Sequence, residues 1–375
     1  MSDQYDMIVI GAGSGGLSMA LGLNQLGLKV LLIDKSDRSI GGECLNNWCI
    51  PSKAFIHVSK IIEAANASGK YGLISSGKPD LKKVWQYVER SKEKIRAHEN
   101  AEYFRNQGLE VILGTARFTG RNMVEINGDQ YQGKKITIAT GSQPKKLKVP
   151  GVEMVQYFDN ENIWELMETP DSMLFVGAGP INMELGQAFA RLGTKVILVE
   201  QGERILAGED PEISEILLQQ SRALGMEFHF SCQIKKFVDK HTVQLDSGLN
   251  LKFNVVMVGI GREIDCRNLC PEVANVSLDA KGGPIVDQYL RTTNKNVLVI
   301  GDATGGPQFS HAAEWQATLH ISNLLSPFKR KIDYRKFSRV TFTCPEVASF
   351  GQSETDLKQN NIPYQKLSHD FSEDD

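Results

Sequence analysis

DMIVIGAGSGGLSMALGLNQLGLKVLLID, residues 6–34, decides how the front of this chain folds. Asp6-Met7-Ile8-Val9-Ile10 is a short apolar run of the kind that forms a buried strand. It enters Gly11-Ala12-Gly13-Ser14-Gly15-Gly16 and then an Ala/Leu/Met-rich helix to about Leu26. Leu28 to Ile33 reads as a second strand, ending on Asp34. Strand, Gly-x-Gly-x-x-Gly, helix, strand and acid, in that order, form the dinucleotide fingerprint. Gly11 makes the tight turn, Gly13 lets the backbone approach a pyrophosphate, and Gly16 lets helix and strand pack closely. The pyrophosphate belongs at the helix N-terminus and the ribose hydroxyls at Asp34. Gly11, Gly13, Ser14, Gly16, Asp34 and Lys35 are therefore candidate cofactor-binding residues.

A second fingerprint begins at Gly177. Ser172 to Val176 is its strand, Gly177-Ala178-Gly179-Pro180-Ile181-Asn182 its turn and Met183 to Leu192 its helix. Lys195 to Val199 is the next strand, ending on Glu200. Asn182 replaces the third glycine and is expected to loosen the helix–strand contact while leaving the phosphate site intact. Glu200 can accept hydrogen bonds from both ribose hydroxyls of NAD and would repel the extra phosphate of NADP. Arg204 lies close by, so NADP is the less favoured cofactor and is not excluded. Gly177, Gly179, Ile181, Glu200 and Gly261 are the candidate residues here. Two such folds imply an α/β protein with two Rossmann-like dinucleotide-binding domains, one for each of two cofactors.

Between them lies GGECLNNWCIPSK, Gly41 to Lys53. Cys44 and Cys49 precede an apolar run (Ala54, Phe55, Ile56, Val58, Ile61, Ile62) whose spacing suits a helix. Both sulfurs would sit at or near a helix N-terminus, where exposed N–H groups and the dipole stabilise a thiolate. The stretch resembles the redox-disulfide motif of the FAD-dependent pyridine nucleotide-disulfide oxidoreductases: dihydrolipoamide dehydrogenase, glutathione reductase and mercuric reductase. Cys44, Cys49, Ile50, Pro51, Ser52 and Lys53 match that motif; Glu43 and Trp48 stand where the family usually has Thr and Gly. The resemblance implies FAD and NAD as cofactors, with Cys49 against the flavin as a thiolate. It also implies that Cys44 exchanges with a dithiol or disulfide substrate. Lys53 and Glu184 match a pair beside the flavin, so Cys44, Cys49, Lys53 and Glu184 are the expected catalytic residues. Residues expected along the flavin are Gly42, Glu43, Cys44, Lys53, Ala116, Thr140, Gly141, Ser142, Gly301, Asp302 and Ser310. Asp302, after the strand Val297 to Ile300, would meet the ribityl hydroxyls.

The remaining organisation is coarser. Pro79 to Gly108 reads as one long amphipathic helix lying on the surface of the flavin domain. Gly259-Ile260-Gly261-Arg262 resembles the family turn that closes the NAD domain, and Glu263-Ile264-Asp265 departs from it as a local surface difference. A helix is expected from His311 to Leu325. The expected domains are residues 1–148 (FAD, first part, with the disulfide), 149–270 (NAD) and 271–338 (FAD, second part). Residues 339–375 resemble the opening of an α+β dimerisation domain, truncated. In the family the rest of that domain carries a His–Glu acid/base pair, for which His369 comes too early. The chain is therefore read as a piece that binds FAD, dimerises poorly and turns disulfides over weakly.

Composition narrows the classes. A length of 375 residues points to two or three domains, and a net charge of −3 gives no reason to expect nucleic acid. No apolar run reaches a membrane span, and no secretory signal is visible at Met1, so a cytoplasmic setting is expected. Cys232, Cys266, Cys270 and Cys344 fit no metal-ligand spacing and read as structural thiols. His57 reads as a packed or flavin-adjacent residue. The resemblance points to dihydrolipoamide as substrate, with lipoyl groups of a 2-oxo acid dehydrogenase complex as partners and a homodimer at full length. The alternatives are a mercuric-reductase-like or glutathione-type reductase, an NAD(P)H diaphorase or transhydrogenase, and a non-enzymatic redox sensor.

Overall fold

A computed structural model describes residues 4–73 and 77–370; Met1–Asp3 and the last five residues of the segment expected to open a dimerisation domain lie outside them. The chain opens with β1 (Tyr5–Ile10), α1 (Ser14–Gln25) and β2 (Val30–Asp34), then the short α2 (Gly42–Asn46) and the long α3 (Cys49–Ala67). Helices α4 (Leu81–Arg96) and α5 (Ala101–Asn106) lead to β3 (Glu110–Leu113), β4 (Ala116–Gly120), β5 (Met123–Ile126) and β6 (Asp129–Ile138). After β7 (Gln143–Pro144) and β8 (Tyr157–Phe158) come β9 (Ser172–Val176), α6 (Pro180–Arg191), β10 (Lys195–Val199), α7 (Pro211–Ala223) and β11 (Glu227–His229). β12 (Ile234–Asp239), β13 (Thr242–Leu245), β14 (Asn250–Lys252), β15 (Val255–Val258) and β16 (Arg262–Glu263) follow. Then come β17 (Val297–Val299), α8 (Ser310–Leu325), β18 (Ser338–Thr341), β19 (Val347–Phe350) and α9 (Glu354–Gln359).

The first sheet runs β3-β2-β1-β6-β5-β4, with β17 on the free side of β6. Its core is parallel: Ile8 sits opposite Leu31 on one side and Ile136 on the other. β1 and β2 are almost wholly buried, as continuous apolar runs are when helices cover both faces of a sheet. β6 is shared: its first residues pair with antiparallel β5, and Lys135–Ile138 join the parallel core. The second sheet repeats the plan as β11-β10-β9-β15-β8, all parallel. In each, the glycine turn leaves the C-terminal end of a central strand at the point where strand order reverses, where α/β sheets take ligands.

Two features join the folds. Phe55 of α3 lies 4.9 Å from the Trp85 ring, 5.0 Å from Phe189 of α6 and 6.4 Å from Trp164, so the redox helix is buried against the second fold. The two connecting strands also pair, Arg262 with Pro144 and Glu263 with Gln143.

The single helix expected over Pro79 to Gly108 is two helices. The Asn100 side chain donates to Arg96 O at 2.9 Å and accepts from Tyr103 N at 2.8 Å. It closes the end of α4 while capping the start of α5, a competition for backbone groups that favours Asn at boundaries. Nor does α4 lie on the flavin fold alone: Leu81, Val84 and Val88 enter the shared core, and Trp85 Nε1 donates to Leu166 O at 2.6 Å.

Candidate active site

Both glycine turns are held by the same device. A Cβ on Gly11 (φ 107°) would overlap the Ala139 carbonyl, and one on Gly177 (φ 95°) would lie 2.5 Å from Gly259 O. The acid closing the second strand then reaches back to the turn. Asp34 Oδ2 accepts Ala12 N–H at 2.5 Å and Oδ1 accepts Lys35 N–H at 2.7 Å and the Ser39 hydroxyl. Glu200 Oε2 accepts Ala178 N–H at 2.7 Å and Oε1 accepts Gly202 N–H at 2.7 Å. The third positions differ. A Cβ on Gly16 would overlap the Gly11 carbonyl oxygen, so helix and turn are in direct contact. Asn182 fills the equivalent space with its amide, donating to Val176 O at 2.7 Å and Gly177 O at 2.8 Å. The expected loosening is therefore wrong: the side chain ties helix to strand.

The redox stretch lies across the first turn. Gly42 (φ 59°) is pressed so close that a Cβ on it would lie 2.6 Å from Gly13 Cα. Cys44 falls within α2 and Cys49 is the first residue of α3; both are half-buried free thiols. The Cys49 sulfur lies 3.3 Å from the Ser310 hydroxyl at the start of α8. A hydrogen bond from Cys44, aided by Ser310 and the charge of Lys53, brings the Cys49 thiol down to about 6 against the opposing effect of burial. Cys44 moves the other way, raised first by that same hydrogen bond and then by burial. The pair thus divides into a thiolate and a thiol.

Lys53 stands one helical turn beyond Cys49 and donates to Glu184 Oε2 at 2.8 Å. Its ammonium also lies 4.5 Å from the Phe342 ring and 5.1 Å from the Trp48 ring. The Glu184 side chain is 2% exposed, and its other oxygen accepts Phe342 N–H at 2.9 Å. Glu184 therefore fixes the lysine and anchors the segment after β18 with one carboxylate.

These groups line one cavity of about 1920 Å³. Every expected site residue borders it except Gly177, on the second turn, and Glu200, which follows β10 and bonds to that turn. Along the wall, Ser142 Oγ donates to Asp302 Oδ2 at 2.5 Å and Gly301 N–H donates to Gln316 Oε1 at 2.7 Å. Ala116, Thr140, Gly141 and Gly261 complete the edges. The family profile for pyridine nucleotide-disulphide oxidoreductases matches residues 5–317. The chain belongs to that family.

Among its relatives, the mercuric reductase of Staphylococcus aureus is 31% identical over 362 residues, 95% of this chain and 66% of that protein. The dihydrolipoyl dehydrogenase of Chlamydia muridarum is 32% identical over 373 residues, 97% and 79% of the respective lengths. The solved structure of RclA, the HOCl-induced flavoprotein disulfide reductase of Escherichia coli, superposes with a TM-score of 0.82 at 26% identity, covering 95% of this chain and 79% of that one. The chain spans 57–66% of three of the mercuric reductases it matches, and 78% of that of Streptomyces lividans.

Family membership brings FAD and NAD(P) as cofactors, and the cavity fits a dinucleotide at the first turn. Gly13 and Gly42 leave no side chain over the start of α1, whose N–H groups face the space a pyrophosphate needs. Sequence reasoning missed Arg262 and Phe342 as wall residues, and Asn160 behind them, because their partners are distant in the chain. His57, expected to be packed or beside the flavin, is exposed on the cavity rim and stacks on Tyr87 at 6.0 Å. Cys232 and Cys266 are buried, whereas Cys344 is exposed rather than structural. Among the described residues no cluster of metal-ligating side chains stands together, and no helix is long and apolar enough to cross a membrane.

Proposed function

We propose that this chain is the flavin-bearing and nicotinamide-bearing part of an NAD-linked dithiol–disulfide oxidoreductase acting on dihydrolipoamide, free or as a lipoyl group. The observation that carries the reading is the asymmetric sulfur pair in a groove bordered by both nucleotide folds. FAD, when bound, relays an electron pair between the nicotinamide and the sulfurs. The residues do the rest. With Cys44 and Cys49 oxidised, a substrate thiolate attacks Cys44 Sγ, and the S–S bond breaks with its electron pair on Cys49. A sulfur with a pKa near 6 is a good leaving group, and Ser310 and Lys53 stabilise the charge it takes. The second substrate thiolate then attacks the substrate sulfur, releasing the cyclic disulfide and the Cys44 thiolate, which takes up a proton. Gly11, Gly13, Ser14, Asp34, Gly42 and Asp302 are the residues that would hold FAD, and Gly179, Ile181 and Glu200 those that would hold NAD. Glu200 favours NAD over NADP by charge. A second copy of the full-length protein is the partner that goes with this reading.

Likeness to mercuric reductases supports a second reading, in which the Cys44–Cys49 dithiol takes a thiophilic metal ion. The full-length protein supplied with FAD should reduce NAD with dihydrolipoamide, and this chain only weakly; no turnover by the full-length protein, alongside NADH oxidation with Hg(II), would replace the first reading by the second. Cys44→Ser should abolish disulfide chemistry and spare NADH-dependent quinone reduction, which distinguishes both from a diaphorase.

A further inference from the structure

Position 43 holds a glutamate beside the turn that faces a pyrophosphate. Gly42, the residue before it, is in contact with Gly13, so the Glu43 carboxylate stands in the wall of the same cavity as the first glycine turn. An uncompensated carboxylate there would repel a dinucleotide. Compensation comes from a distant part of the chain. Arg262, on the strand that returns from the second fold, donates through Nη1 to Glu43 Oε1 at 3.0 Å. The rest of its fork is fixed by Ser142, where Nε donates to Oγ at 2.7 Å and Nη2 to the carbonyl at 2.8 Å; Nε also faces Asp302 Oδ2 at 3.6 Å, an oxygen that the Ser142 hydroxyl bonds directly. Asn160 donates to the same Glu43 oxygen and lies 3.4 Å from Arg262 Nη1 through its own. The Arg262 side chain is 10% exposed and Glu43 30%, so water screens the pair only in part. A planar guanidinium satisfies this set of acceptors, and an ammonium would not.

We propose that Arg262 is the counter-ion that allows a glutamate at position 43, so that FAD retention requires Arg262 only while Glu43 is present. The inference rests on the cavity being the FAD site. Arg262 touches neither sulfur and acts through Glu43; it is a positioning residue. A role in fold integrity alone would make its loss equally costly whatever stood at position 43.

The test is a double-variant cycle on the full chain stripped of flavin, read by quenching of FAD fluorescence on titration and by thermal unfolding. Arg262→Ala should weaken FAD binding by about tenfold or more, the range of a lost partner in a half-buried charge pair. Glu43→Thr, and Glu43→Thr with Arg262→Ala, should bind FAD within about threefold of each other, since the carboxylate that calls for the counter-ion is gone from both and Asp302 keeps its bond from Ser142. Arg262→Lys should fall between the parent and Arg262→Ala. A double variant as weak as Arg262→Ala overturns the inference, as does an Arg262→Ala chain that binds FAD normally. Should Arg262→Ala not fold, Glu43→Thr and the double variant still answer: equal affinity upholds the inference and a tenfold gap overturns it. A parent chain that takes up no FAD fails earlier, at the reading of the cavity.

Discussion

In the first nucleotide fold the start of the helix lies directly on the glycine turn, and in the second an asparagine stands between them. The two turns are otherwise closed in the same way: the carbonyl after a neighbouring strand (β6 or β15) meets the first glycine, and a terminal acid accepts the N–H of the alanine. The difference teaches that the third glycine is one of two ways to join helix to strand. Contact needs a missing side chain; spacing needs a side chain that satisfies the carbonyls it separates. The choice matters because the first turn is also pressed upon by Gly42 and the redox stretch, whereas the second has room behind it.

The largest expected effect is therefore at Gly16. Gly16→Ala places a methyl on the Gly11 carbonyl oxygen, a backbone atom that cannot swing away. We expect a loss of more than about 3 kcal/mol and of FAD binding, as for overpacking against fixed atoms. Urea unfolding and FAD titration check it; a variant as stable as its parent would show that the first fold has slack. Asn182→Gly comes next, and it restores the familiar glycine pattern while making the protein worse. One buried and one half-buried hydrogen bond go, Val176 and Gly177 carbonyls lose a donor, and a glycine enters a helix. About 1–3 kcal/mol should be lost. Unchanged urea stability would mean that Asn182, whose Oδ1 has no partner, is a passenger.

The acids give the next contrast. Glu200→Gln removes the charge facing the second site and should move the NADPH/NADH preference, as the ratio of kcat/KM values, by about tenfold toward NADPH. The equivalent change in the first fold, Asp34→Asn, should leave that ratio unmoved and act on FAD affinity instead. A shift in nucleotide preference from Asp34→Asn would contradict the assignment of one cofactor to each fold.

The same contrast separates what the sequence made legible from what it did not. Both glycine turns, both terminal acids and the Lys53–Glu184 pairing could be read because each belongs to a local motif or to a resemblance with a fixed order. The break between α4 and α5 was hidden because the apolar spacing continues through it, and only the double hydrogen bonding of Asn100 ends the helix. Asn182 looked like a defect because its partners are backbone carbonyls, which carry no sequence signal. Arg262 was visible as part of a closing turn, but its partners lie at Glu43, Ser142 and Asn160, and long-range ion pairs leave no periodicity to read.

The smallest effect tests whether the two folds act together on one sulfur. The first fold offers Cys49 a hydroxyl, Ser310; the second steadies Lys53 through Glu184. An ordinary thiol becomes nucleophilic only as pH approaches 8–9, whereas Cys49, held near 6, should alkylate at a rate that rises through pH 6 and levels off by about pH 7. Cys44, raised by its bond to Cys49 and by burial, should stay unreactive over that window. Ser310→Ala removes one donor to the thiolate, so the midpoint should move up by about half a unit to one unit, the size of one net hydrogen bond. Lys53→Met should move it in the same direction by less, since a partly exposed charge is screened and already shared with a carboxylate. Mass-spectrometric rates of iodoacetamide labelling, residue by residue from pH 5 to 9, measure all three. A midpoint indifferent to Ser310 would leave the thiolate to Cys44 and the α3 dipole, and remove the first fold from the control of its own redox pair.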